Sequence, residues 1–329
     1  MRKLLSCIFI ILMPFLTISA QPSNEHSRYN HRFEMMLFKG FIMMHDQKIG
    51  HLIKSHPQGI KLNYIKETNG RKYWEAHYGY PDLGLSFSYQ DHRNPQLGHS
   101  FALLPYISFN LMRGAKSKLR LNMGTGLAYH TNPHHQRDNN LNIALGSSLS
   151  SILYVGFQYE RQLTTYLSSG IFFHIDHYSN GGFKKPNSGI NLVQSGFSLA
   201  GRLSGEKKVQ RKWDSKPSVN KKPYVSILPS VSFKELGRGG GDIHPAYNLS
   251  VSLNKAVSST SIIHVGVDGS YDIAMKRWIA EEDLEKKQDF KNAALHMGHE
   301  LMVDRFSFLI QLGYHFYRPE TTLAFRDFF

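Results

Sequence analysis

Beyond its first few residues the chain contains no cysteine; Cys7 is the single example. Disulfides and thiolate metal sites are thereby excluded from the body of the protein, whatever the redox state of its compartment. Long apolar runs are also scarce. One stands at the N-terminus, Leu4 to Leu16, preceded by the basic pair Arg2–Lys3 and followed by the small-residue site Ile18-Ser19-Ala20. That layout is expected of a secretory signal peptide over residues 1–20. The run is shorter than the ~20 residues a spanning helix needs, and no later segment offers a longer one. Acidic residues are few as well: 39 Lys and Arg face 25 Asp and Glu, for a net charge of +14. The excess points to an acidic partner or to soluble basic loops. The export signal argues against nucleic acid and leaves a phosphorylated lipid surface.

What the chain does have is alternation. In "KLRLNMGTGLAYH", Leu119, Leu121, Met123, Leu127 and Tyr129 share one face, opposite Lys118, Arg120, Asn122 and the glycines. "RFSFLIQLGYHFY" and "SIIHVGVDGSY" repeat the pattern. A period of two over about ten residues or more fits membrane-crossing strands better than the shorter strands of a soluble sandwich. Tyr129, Tyr271 and Tyr317 stand near strand ends, as interfacial aromatics do. Connections alternate in length too. Short links at Arg113–Ser117, Gln162–Thr165, Val257–Ser259 and Val303–Asp304 are interleaved with longer polar loops. The expectation is an all-β chain: one transmembrane antiparallel β-barrel domain over residues 21–329, of roughly twelve to fourteen strands. The Lys-rich segment 204–222 breaks the rule, being long on the short-turn side.

The stretch with chemical content is "HIDHYSNGGFKKPNSGIN", His174 to Asn191. Ile171, Phe173, Ile175, His177 and Ser179 share one parity, and His174, Asp176 and Tyr178 the other. His177 and Ser179, at i and i+2, would stand together on the outer face above the greasy band. A symmetric hairpin would set Asn191 across from His177. Serine is a weak nucleophile until a base takes its proton, and the base needs a third group to hold its ring. These residue types are also ordinary turn formers, so spacing alone leaves both readings open.

"HYSNGGFKKPNSGIN" resembles the signature of the PagL-type lipid A 3-O-deacylases, also called acyloxyacyl hydrolases. These are outer-membrane barrels that remove an ester-linked acyl chain from lipid A. The resemblance implies His177 as base and Ser179 as nucleophile. It implies Asn180 and Asn187 as oxyanion or orienting groups. Where that family carries a glutamate this chain has Asn191, which can fix the histidine tautomer without supplying charge. The implied partner is lipid A, or lipopolysaccharide, in the outer leaflet of the bacterial outer membrane. Lys184 and Lys185 are placed to hold its phosphates. The implied chemistry needs no metal and no cofactor, and the sequence leaves a homodimer open.

Other motifs carry less. "GRGGGD", Gly237 to Asp242, lacks the ending of a phosphate loop. His130, His134 and His135 fit no standard metal spacing. "IAEEDLEKKQDFKN" reads as a short charged helix in an outer loop. The rival functions are a non-catalytic porin, marked by a conducting lumen, and a structural barrel working through its loops.

Overall fold

The structure is a computed structural model that describes residues 30–203, 212–235, 239–281 and 290–318. The expected signal peptide and the segment ending in Phe329 lie outside the described residues. Eight antiparallel strands close a barrel: β1 (Asn30–Ile42), β2 (Gln58–Glu67), β3 (Asp82–Asp91), β4 (His99–Arg113), β5 (Ser117–His130), β6 (Leu149–Gln162), β7 (Leu167–Ser179) and β8 (Ile190–Arg202). β8 returns to β1, from Arg32↔Arg202 to Ile42↔Leu192. Five further strands form a separate open sheet: β9 (Tyr224–Glu235), β10 (Ile243–Ser258), β11 (Ser261–Asp272), β12 (Lys291–Val303) and β13 (Phe306–Tyr317). The all-β, barrel-forming expectation holds. The strand count of the barrel does not: it closes at eight, not at twelve to fourteen. Alternation specifies that a strand has two faces; it does not specify which edge finds which partner.

The long segment 204–222 is therefore the passage from barrel to sheet. Part of it is anchored, since Trp213 Nε1 donates to Gly70 O at 2.9 Å. A helix, α2 (Ile273–Glu281), follows β11 and takes in only the first three residues of the motif expected to be an outer helix; residues 282–289 of that motif lie outside the described residues, and its last two, Lys291 and Asn292, begin β12. A short helix, α1 (Tyr73–His77), lies in the link between β2 and β3.

On the barrel, outward residues are large and apolar, such as Phe33, Leu37, Phe41 and Phe197, while the inward face mixes polar side chains with apolar ones such as Met36, Phe38 and Phe172. A wall with that pattern suits hydrocarbon outside and hydrogen-bonding groups inside. The lumen is filled in layers. At the short-turn end, Arg32 Nη1 donates to Glu160 at 2.9 and 3.0 Å, Arg120 pairs with Asp82, and Arg202 Nη2 lies 2.8 Å from Glu67. An open cavity of about 380 Å3 lies at this mouth, lined among others by Arg113, Lys118 and Glu160. Midway, Lys61 Nζ sits 3.0 Å from Asp176 and 4.1 Å from the Tyr154 ring centroid. Above it His92, Ser100, His130 and Ser150 form a chain with links of 2.6 to 2.7 Å. The long-loop mouth is capped by an apolar cluster including Ile49, Leu52, Leu97, Leu145 and Tyr178. An eight-stranded barrel is just wide enough for side chains to fill, and here they do.

The sheet meets the barrel at both ends. At the short-turn end Trp74 and Ile107 pack with Val303, joined by Tyr78 and Phe308. Tyr78 Oη donates to Thr260 O at 3.0 Å, and Lys72 pairs with Asp304. At the long-loop end Glu235 reaches the loop between β7 and β8.

Candidate active site

β7 delivers His177 and Ser179 to the outer surface by simple alternation. Ile171 and Phe173, on the same face lower down, are 55% and 48% exposed, while His174, Asp176 and Tyr178 point into the lumen and are buried. His177 and Ser179 are half-buried at the upper rim of the apolar band. β8 returns with His177 opposite Asn191 in the register. The two side chains meet: His177 Nδ1 lies 2.6 Å from Asn191 Oδ1. An amide oxygen accepts, so Nδ1 is the donor and Nε2 keeps its lone pair. Asp176, the nearest acid in sequence, is committed inward to Lys61 and His174.

Ser179 Oγ receives two donors. Asn187 Nδ2 lies at 2.9 Å and the backbone N–H of Gly181 at 3.2 Å. The orientation of the Asn187 amide is fixed because its Oδ1 accepts from Asn180 N at 3.2 Å. Among the described residues no hydrogen bond links His177 directly to Ser179. The Asn180 side chain does not touch Ser179 Oγ. Its side chain builds the loop, accepting from Gly182 N at 2.9 Å and donating to Lys184 O at 2.8 Å and Ser147 Oγ at 3.0 Å. Lys184 is exposed, whereas Lys185 is half-buried, and burial first, then the nearby charge of Lys234, holds its ammonium below the usual lysine range.

Gly189 closes the hairpin at φ +74°, where only glycine is comfortable. A Cβ there would stand 3.2 Å from His177 Cε1 and 3.0 Å from Tyr178 O. The gap beside the histidine is thus a backbone requirement. Gly181, His45 and Ser147 are site residues that sequence pattern does not mark. Gly181 contributes through its backbone, which carries no residue signature beyond the Gly-Gly pair after Ser179-Asn180. His45, on the connection after β1, lies 2.9 Å from Ser188 O, a contact across 143 residues.

The three histidines His130, His134 and His135 do not assemble. His130 is buried between Ser100 and Ser150, His135 lies 3.0 Å from Asp138, and among the described residues no grouping could hold a metal ion. In the "GRGGGD" loop, Gly239 packs on Lys185 and Pro186.

Two family models match the chain: lipid A 3-O-deacylase (PagL) over residues 58–200, and acyloxyacyl hydrolase, C-terminal domain, over residues 223–329. The break between them falls on the passage from barrel to sheet. No curated protein matches. Among solved structures, the outer membrane enzyme PagL is 20% identical over 50% of this chain and 97% of its own, with a TM-score of 0.33. BamA from Haemophilus ducreyi lacking POTRA domains 1-3 is 11% identical over 91% and 71%, with a TM-score of 0.23. At those TM-scores neither structural likeness adds to the family matches.

Proposed function

This chain belongs to the lipid A 3-O-deacylase family of outer-membrane ester hydrolases, and we propose that it cleaves its ester through Ser179 and His177. The observation that carries this reading is the setting of Ser179: its Oγ faces outward at the rim of the apolar band, with two hydrogen-bond donors already aimed at it. Acyl chains of a lipid substrate would lie along Phe173 and Ile171, placing the ester at the level of the hydroxyl.

His177 Nε2 takes the Ser179 proton as Oγ attacks the ester carbonyl carbon. The former carbonyl oxygen becomes an oxyanion, two bonds from the Oγ that Asn187 Nδ2 and Gly181 N–H now contact. Donors preset for developing charge in a water-poor site supply much of the acceleration in acyl transfer. The imidazolium returns its proton to the leaving alkoxide, and the sugar alcohol departs. Water, deprotonated by His177, then attacks the acyl-enzyme carbonyl; as the bond to Ser179 breaks, the imidazolium returns the proton to Oγ and the fatty acid is released. Asn191 holds the ring in the productive tautomer, as the third member of a Ser-His-Asn set, and adds no charge. Lys184 and the other basic loop residues attract the lipid phosphates. No metal takes part in this scheme.

The test is mass spectrometry of lipid A from cells carrying the wild-type protein or Ser179→Ala. The wild type should remove one ester-linked acyl chain and the variant none. Deacylation by folded Ser179→Ala would overturn the assignment.

A further inference from the structure

The loop that presents Asn187 to Ser179 is held from outside the barrel. Residues 180–189 are tied to the barrel by Gly189 N to Ala144 O at 3.0 Å and Ser188 N to Ile143 O at 3.1 Å. Those ties serve the end of the loop that follows Asn187. The preceding arc, Gly182 to Pro186, is met by the five-stranded sheet. Glu235, the last residue of β9, accepts from the backbone N–H of Lys185 through its carboxylate, and its own N–H reaches Gly182 O at 3.4 Å. Beyond it Gly239, at φ +116°, lies so close that a Cβ would stand 2.8 Å from Lys185 O. Gln136 Nε2, from the loop after β5, donates to Gly239 O at 3.2 Å and completes the ring.

Glu235 is 4% exposed. A carboxylate at the end of an outer strand would ordinarily turn to water, and burying it is costly unless it is hydrogen-bonded. The partner it has is a backbone group two residues before Asn187. A charge-assisted bond to a main-chain N–H is among the stronger ties available to a loop. Lys234, next to it, is turned instead to Asp272 within the sheet. The sheet is therefore anchored below at α1 and bears above on the catalytic loop, at a place where a small shift moves the Asn187 amide.

We propose that Glu235 is a positioning residue for the deacylation, and that the C-terminal sheet acts on catalysis by clamping the oxyanion side of the loop through it. The proposal rests on the Ser179–Asn187 reading above. It assigns the sheet a task in the reaction. It also states how the task is transmitted: from Glu235 to Lys185 N, and along two peptide units to Asn187.

The experiment measures initial deacylation of lipid A in mixed micelles by the full-length protein. The variants are Glu235→Ala, Glu235→Gln, Asn187→Ala and the double variant Glu235→Ala with Asn187→Ala; heat-modifiable migration in detergent reports folding. Glu235→Ala should lower kcat by roughly ten- to a hundredfold, the scale of a displaced oxyanion donor, with KM little changed. Glu235→Gln keeps an acceptor of the same reach and should recover most of that loss. In the Asn187→Ala background the Glu235→Ala change should add nothing, since both act through one amide. An unchanged kcat in Glu235→Ala, or a full additive loss in the double variant, would overturn the clamp. If Glu235→Ala does not fold, Glu235→Asp replaces it in the same cycle, with the same two overturning results. Ser179→Ala separates the two claims. Activity there defeats the catalytic reading itself, whereas an inactive Ser179→Ala beside a fully active Glu235→Ala defeats the clamp alone.

Discussion

On the outer face of the barrel Ser179 stands near His177 without a direct bond, whereas on the sheet a serine and a histidine are bonded directly. On its polar face Ser252 Oγ lies 2.9 Å from His296 Nε2, and Asp268 Oδ2 lies 2.9 Å from Nδ1. By residue type and spacing that is a triad. Yet Ser252 is 8% exposed and His296 3%, the Asp268 contact lacks hydrogen-bond geometry at Nδ1, and the backbone N–H groups around Ser252 belong to the ladders with β9 and β11. The barrel pair has no direct serine–histidine bond, but its serine is open to the outer surface and already faces two donors. On the proposed reading the contrast teaches that access and unspent N–H groups, rather than the serine–histidine distance alone, decide which serine can act as a nucleophile. A strand interior spends its N–H groups on the ladder; a loop just past the strand end has them to offer.

Substitutions can break or sharpen that comparison. The largest effect is expected at the barrel pair: Ser179→Ala and His177→Ala should each lower the deacylation rate on the order of ten-thousandfold with heat-modifiable migration intact. Ser252→Ala should leave the rate at the wild-type level, and its loss of activity would break the contrast outright. Asn187→Ala comes next, at about a hundredfold in kcat, as for one oxyanion donor. The neutral orienting residue ranks lower. Asn191→Ala should cost about tenfold, less than His177→Ala, and Asn191→Asp should raise the rate by stabilising imidazolium, an effect reduced by partial exposure. A rate for Asn191→Ala equal to wild type would reduce the site to a Ser-His dyad.

The smallest expected effect falls on stability and belongs to the barrel cap. Burial, with His130 and His99 nearby, holds His92 at a pKa of about 3, down from 6.5. The unfolded chain therefore binds a proton there that the folded one refuses. Stability from this group is complete above about 6.5 and is lost as the pH falls toward about 3. Thermal unfolding across that window should be less pH-dependent in His92→Gln than in the wild type. Equal slopes would show that the cap opens to water before the barrel unfolds.

Much of the site was legible in the chain itself. The parity of β7 placed His177 and Ser179 outside and Asp176 inside, and hairpin symmetry set Asn191 against His177, because a period of two admits one register once a face is greasy. The alternating link lengths likewise marked Asn180–Ser188 as a long-loop position. What escaped was nonlocal. Nothing in the composition of residues 30–42 says that β1 pairs with β8 rather than with a thirteenth or fourteenth strand; closure is decided by the twist and stagger of the whole wall. The same holds for Asn180, which the resemblance makes an oxyanion or orienting group: its side chain holds Lys184 O and Ser147, and its backbone N–H orients the Asn187 amide. The sequence by itself determined the alternation, the outward hydroxyl and an uncharged amide at position 191, since each depends on residue identity and local spacing. Tertiary structure alone decided where the barrel closes, which amide meets Ser179 Oγ, and that Glu235 of a separate sheet bears on the loop between β7 and β8. Those outcomes depend on contacts between residues far apart in the chain, and no local pattern encodes such contacts.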